Sequence, residues 1–267
     1  VSTVPVMLSI AGSDPSGGAG IQADLKTASA LGVYGAAALT ALTVQNTRGV
    51  TGIHAVPPDF VADQVRAVLD DLEVGAIKIG MLGTADVVVA VAEVLRTADL
   101  PVVLDPVMVA TSGDRLVPVD TIDAIRTTLL PLVAVVTPNV PEAAVLVGAE
   151  EAADVAGLGA AALALRERGA AAVLVKGGHL GGAESVDVLA DAEGVRSYAA
   201  PRIDTPNTHG TGCSLSSAIA SGLALGMPLR DAVAMAKDYL TGALRSGETH
   251  SVGHGHGPID HLWRTRG

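Results

Sequence analysis

Short apolar runs alternate with longer, alanine-rich amphipathic segments along almost the whole chain, and this alternation constrains the fold more than any other feature. "VMLSIAGS" (6–13), "AALTALTVQ" (37–45), "IHAVP" (53–57), "AIKIGM" (76–81), "PVVLDPVM" (101–108), "LVAVVTPN" (132–139) and "AAVLVKGG" (171–178) read as strands. Helical spacing falls near 20–31, 58–71, 84–98, 118–130, 140–147, 154–168, 212–225 and 228–247. Strands separated by helices predict βαβ crossovers, hence an α/β fold: a mostly parallel central sheet with helices on both faces, in three layers. "ESVDVLADAEGVRSYAAPRI" (184–203) departs from that rhythm. Two alternating runs around Ala-Glu-Gly predict an antiparallel hairpin at a sheet edge. No repeat, low-complexity block or linker divides the chain, so residues 1–267 are expected to form a single domain.

The core of such a fold must be built from small aliphatic side chains. Aromatic residues are confined to Trp263, Phe60, Tyr34, Tyr198 and Tyr239, while Ala, Val and Leu dominate. The formal charge of −11, from 17 Lys and Arg against 28 Asp and Glu, repels phosphate backbones and anionic membranes. Neither a nucleic acid nor a membrane is therefore expected as a partner. A lone cysteine, Cys213, permits no internal disulfide, and "VSTVPVMLSIAGSD" lacks the basic start of a secretory leader. The expectation is a cytoplasmic protein.

Ligands of open α/β sheets sit beyond the carboxyl ends of the strands. Here those ends are polar: "GSDPSGGAG", "TVQNTRG", "KIGM", "LDPVM", "TPNVPE" and "KGGH". Burying Asp, Asn, Gln or Lys at the end of an apolar strand is costly without a partner, so these ends outline a site on one rim.

The most chemically loaded stretch is "HGTGCSLSSAIASGLALG" (209–226). Gly210 and Gly212 allow positive φ, and a serine-rich first turn follows. Free amides and the positive dipole end there make an anion site, the alternative being an ordinary helix junction. Cys213 in that field is expected to have a lowered pKa, unless it is a small buried hydrophobe. "SDPSGGAGIQADLKT" (13–27) matches G-x-G-x-x-A only formally, and no P-loop sequence occurs. It reads as a flexible lid, with Asp24 either facing the ligand or compensating a helix dipole. Asp105 and Glu142 are hard oxygen donors suited to Mg²⁺ held through water and phosphates, or else local caps. Lys176 ends a strand on the same rim and suits a nucleotide phosphate. Lys237 is a weaker candidate for the same task. His250, His254, His256 and His261 crowd the C-terminal region, but a glycine-rich coil lacks the rigid frame a metal site needs.

Together these segments resemble the hydroxymethylpyrimidine/phosphomethylpyrimidine kinases of thiamine biosynthesis, a branch of the ribokinase-like superfamily. The resemblance runs in order from "IAGSDPSGGAGIQADLKT" through "TALTVQNTRGV", "KIGMLG", "LDPVM", "TPNVPEA", "VLVKGGH" and "NTHGTGCSLSSAIA" to "VGHGHGPI". It implies a ribokinase-like fold and an ATP- and Mg²⁺-dependent enzyme that phosphorylates the pyrimidine alcohol and then its monophosphate. By that resemblance Gly210, Thr211, Gly212 and Cys213 cradle the transferred phosphoryl group. Gln45, with Asp24 nearby, reads the aminopyrimidine, and Gly12, Val44, Met81 and Val107 wall its ring. Asp105, Asn139 and Glu142 handle Mg-ATP, with Lys176 and Lys237 on phosphate oxygens. A symmetric homodimer is compatible with the superfamily.

Pyridoxal kinase is the nearest alternative, since it shares the fold and also phosphorylates a hydroxymethyl group on a heteroaromatic ring. A thiol hydrolase built on Cys213 and His209 lacks an orienting acid at an obvious position. A non-catalytic nucleotide sensor would leave Asp105, Glu142, Lys176 and Cys213 without a purpose.

Overall fold

The computed structural model describes residues 3–108 and 118–265. Its strands are β1 (Val6–Ala11), β2 (Tyr34–Leu39), β3 (Ala41–Asn46), β4 (Gly49–Ala55), β5 (Val74–Ile79), β6 (Val102–Leu104), β7 (Val135–Val136), β8 (Val173–Val175), β9 (Glu184–Asp191) and β10 (Gly194–Pro201). The helices are α1 (Gly20–Ala30), α2 (Pro58–Asp71), α3 (Ala85–Leu95), α4 (Val119–Ala124), α5 (Val140–Val147), α6 (Val155–Glu167), α7 (Thr211–Ala224) and α8 (Leu229–Gly247).

The main sheet runs β10-β9-β8-β7-β6-β5-β1-β2. From β2 to β8 every pairing in it is parallel, and the β9–β10 hairpin adds antiparallel strands at one edge. Successive side chains of a strand point to opposite faces, and the buried residues divide accordingly. Met7, Val103, Val135, Leu174 and Leu189 pack on one side with Ala28, Leu215, Ile219 and Tyr239 from α1, α7 and α8. Leu8, Ile10, Ile77, Leu104, Val136 and Val175 face the other side, with Val65, Val91, Leu146 and Leu158 from α2, α3, α5 and α6. This is the three-layer α/β arrangement that the alternation predicts. Among the described residues no helix is long and apolar enough to cross a membrane.

The structure differs from the sequence reading in two places. The run 37–45 is not one strand. Its first half pairs with β1 as β2, and Thr40 then turns the chain by donating to Ala11 O and, through Oγ1, to Met81 O. Beyond Thr40 the chain forms β3, which among the described residues pairs only with β4, so the two strands stand off the sheet as a flap. The second departure is the helix expected over 118–130. It runs as α4 to Ala124, widens into a π turn over Ile125–Leu129 and closes in a 3-10 turn at Leu130–Leu132. Pro131, which has no amide to donate, lies in that closing turn.

Because β1, β5, β6, β7 and β8 are parallel, their carboxyl ends share one rim. Gly12, Asp105 and Lys176 directly follow β1, β6 and β8, Met81 and Asn139 lie two and three residues past the ends of β5 and β7, and Asn139 pairs with Lys176 as a short parallel bridge.

Candidate active site

A cavity of about 640 Å³ opens on this rim, bounded by the flap, the β9–β10 hairpin, α8 and the start of α7. Gly210, Thr211, Gly212 and Cys213 form one wall. Gly210 caps α7 at φ 82°, and a Cβ there would collide with Gly18 O, so only glycine fits. Gly212 needs no such freedom, because it already lies inside the helix. The amides of Gly212 and Cys213 donate to no protein acceptor among the described residues, and they open a fourteen-residue helix whose positive dipole end faces the cavity.

The cations beside this cradle are held by carboxylates. Lys176 Nζ lies 2.7 Å from Asp105 Oδ1, and a Cβ added to Gly212 would sit 3.1 Å from that ammonium. Burial alone would lower the Lys176 pKa, but the charges of Asp105 and Glu142 more than offset it and raise it. Lys237 is buried rather than solvated, 2.7 Å from Asp187 Oδ2. Asn139 and Glu142 form a capping box at α5: Asn139 Oδ1 accepts from the Glu142 amide and Glu142 Oε2 accepts from the Asn139 amide, each at 2.8 Å. Burial raises the Glu142 pKa to about 7, opposed by Lys176 and reinforced by Asp105.

Gln45, Gly12, Met81 and Val107 also line the cavity, with Gln45 reaching it from the flap. Asp24 and Val44 do not. Asp24 is sealed below the floor, where it binds Lys78 instead of facing a ligand. Val44 lies on the opposite face of the flap from its neighbours Thr43 and Gln45 and is 66% exposed.

Cys213 corrects another expectation. Its pKa is raised to about 11 by burial, with Lys78 and the Gly20 amide only partly opposing that effect. The helix start supplies the field expected from sequence, but desolvation of the half-buried thiol outweighs it. Nor is the glycine-rich loop after β1 loose. Asp14 accepts from the amides of Ser16, Gly18 and Ala19 and meets His209 Nε2 at 2.8 Å. Burial opposes ionisation of Asp14, yet these bonds hold its pKa well below the usual carboxylate range.

Asp14 is the orienting acid that no local pattern revealed for His209, although no hydrogen bond joins His209 to Cys213 among the described residues. Lys78 and His209 are cavity residues that the sequence reading did not assign to the kinase site. The signal for Lys78 was a lysine inside the apolar run "AIKIGM". The C-terminal histidines do not converge. His254 and His256 are exposed, His261 is buried elsewhere, and no metal-binding cluster occurs among the described residues.

Residues 14–260 match the phosphomethylpyrimidine kinase family. The chain belongs to that family. It is 52% identical over 259 residues to the hydroxymethylpyrimidine/phosphomethylpyrimidine kinase of Rhizobium meliloti, covering 97% of each chain. The crystal structure of an ADP complex of Bacillus subtilis pyridoxal kinase superposes with a TM-score of 0.90 at 36% identity, covering 99% of this chain and 100% of that one. A phosphomethylpyrimidine kinase structure from Clostridium difficile gives 0.79 at 38% identity, over 90% of this chain and 98% of that one.

Proposed function

We propose that the chain transfers the γ-phosphoryl group of ATP to 4-amino-5-hydroxymethyl-2-methylpyrimidine and then to the resulting monophosphate. One observation carries this reading: the unpartnered Gly212 and Cys213 amides and the Lys176–Asp105 pair share a cavity with Gln45. The first two suit a phosphoryl group in transit. A primary amide suits an aminopyrimidine edge, because it donates to a ring nitrogen while accepting from the exocyclic amine. Asp105 and Glu142 fit a divalent cation: both are buried oxygen donors on the cavity wall, and burial, reinforced by the charge of Asp105, raises the pKa of Glu142, an effect that a bound cation would oppose. Bound there, Mg²⁺ would neutralise charge on the phosphate oxygens.

Phosphoryl transfer rests on positioning and charge stabilisation more than on a strong base. The acceptor oxygen forms a bond to phosphorus as the bond to ADP breaks, while the cradle amides and Lys176 stabilise charge on the transferred oxygens. In the first step the alcohol must also release a proton. In the second the monophosphate already offers an anionic oxygen. A thiol with a pKa near 11 is largely protonated at neutral pH, so the cradle carries more of the rate than Cys213 does. The same reading takes residues 1–267 as one cytoplasmic catalytic domain that is compatible with a homodimer, with small molecules as ligands; its net charge of −11 disfavours nucleic acids and anionic membranes.

Pyridoxal phosphorylation is the second reading, favoured by the 0.90 superposition on a pyridoxal kinase. A coupled assay of ADP release separates the two. We expect Mg-ATP to be consumed with the pyrimidine alcohol and with its monophosphate. Turnover with pyridoxal alone would replace this reading by the second, and ADP release with no dependence on acceptor would overturn both.

A further inference from the structure

The segment Gly253–Gly257, "GHGHG", is the part of the histidine-rich region that no cavity or metal reading absorbs, and it lies across the tip of the flap. The amides of His254 and Gly255 donate to Thr47 Oγ1 at 3.3 and 3.1 Å, and the amide of His256 donates to Thr47 O at 2.9 Å. The approach is too close for any larger residue at 255, since a Cβ on Gly255 would collide with Thr47 O. Immediately downstream, Gly257 O accepts from the His209 amide at 3.0 Å, and Pro258 pairs with His209 as a short bridge. His209 directly precedes the cradle glycine, Gly210.

Thr47 stands two residues beyond Gln45. A second tie lies at the root of the flap, where Ser13 N donates to Ala41 O at 2.9 Å, Thr43 N to Ser13 Oγ at 3.3 Å and Thr43 Oγ1 to Ser13 O at 2.8 Å. Between the two ties the β3–β4 register shifts at Val44/Gln45, a bulge that aims a side chain but weakens the ladder that holds it. A two-stranded hairpin standing off its sheet has little stability of its own.

We propose that the main chain of 253–257 is a positioning strap: by clasping Thr47 it holds Gln45 at a fixed height above the cavity and fixes the flap relative to the phosphoryl cradle. The inference rests on Gln45 reading the pyrimidine. Thr47 and the strap glycines are positioning residues, acting through Gln45.

Steady-state kinetics on the full chain test it, with the pyrimidine alcohol and ATP varied separately for Gln45→Ala, Thr47→Val, Thr47→Ser and the Gln45→Ala/Thr47→Val double variant. Thr47→Val keeps the shape of the side chain and removes the acceptor. It should raise KM for the pyrimidine about tenfold, as expected when hydrogen bonds of ordinary strength are lost. KM for ATP should stay within about twofold, and Thr47→Ser should restore the parental KM for the pyrimidine. The double variant should match Gln45→Ala alone, because residues acting through one contact are not additive.

If Gln45→Ala raises KM for the pyrimidine but Thr47→Val does not, the strap is overturned while the substrate reading stands. If Gln45→Ala itself leaves that KM unchanged, the pyrimidine role of Gln45 falls and the strap with it. Additive effects, or equal losses toward ATP and pyrimidine with a lowered melting temperature, would reduce the strap to a structural contact and overturn the proposal.

Discussion

Lys78 Nζ lies 2.8 and 2.9 Å from the two carboxylate oxygens of Asp24, and neither side chain reaches solvent. Ser9 Oγ and Ser217 Oγ each donate to the same carboxylate at 2.6 Å. Four elements, β1, α1, β5 and α7, therefore meet at one acceptor beneath the cradle. Burial on its own would lower the pKa of Lys78, yet the charge of Asp24 holds it above the usual lysine range.

Asp24→Ala should consequently be among the most damaging single changes. It leaves a buried ammonium and two hydroxyls without their acceptor, a loss of about 3–5 kcal/mol for a broken buried pair. Asp24→Asn combined with Lys78→Met removes both charges and should recover most of that stability. Denaturant unfolding of the three proteins measures it. A loss below about 1 kcal/mol in the single variant would mean that the pair holds nothing together.

The thiol offers a test of opposing fields. With a pKa of about 11, Cys213 should react slowly with iodoacetamide at neutral pH, and the rate should climb with pH until about 11. ATP-protected inactivation, followed from pH 6 upward, reads that profile. A plateau below the ordinary thiol value would show that the helix start wins over burial after all.

These cases mark what the chain revealed before its structure was known. The buried strands were legible because an apolar run is local: Val102, Val103 and Leu104 are all apolar because helices cover both faces of the sheet they enter. The polar strand ends were legible for the same reason, since parallel strands must end together. Asp24 was misread because its partner is 54 positions away, and nothing near it in sequence announces Lys78. Val44 was misread because a strand leaving the sheet no longer has a core to say which face is inward. For Cys213 the local field was visible, whereas its desolvation comes from burial that only the fold imposes, which the Lys78 charge and the Gly20 amide only partly oppose.

His261 should make the protein acid-sensitive in a defined window. Its Nε2 is buried with no hydrogen-bond partner among the described residues, and burial, reinforced by Lys26 and His209 and opposed by Asp260, lowers its pKa to about 4. An unfolded chain takes up this proton near the ordinary value of 6.5, while the folded one resists until about 4. The stabilising contribution is thus complete above 6.5 and lost as pH falls toward 4. His261→Leu cannot titrate, so its melting temperature should decline less than the parent's between those limits. Parallel melting curves across that range would show that His261 is not responsible.

Gly212 separates stability from catalysis most cleanly. It sits inside α7 without a positive φ, so alanine suits its backbone and should stabilise the helix by roughly 0.5–1 kcal/mol. The added methyl, however, would stand 3.1 Å from Lys176 Nζ and 3.5 Å from Asp105 Oδ2. Lysine is the flexible partner and would yield, carrying its charge away from the space that the proposed phosphoryl transfer uses. Gly212→Ala should therefore melt no lower than the parent while its kcat falls about 10- to 100-fold, the scale on which a small misplacement acts. Thermal unfolding and turnover on the same preparation decide the matter: an unchanged kcat would mean that the reacting group does not pass between Gly212 and Lys176.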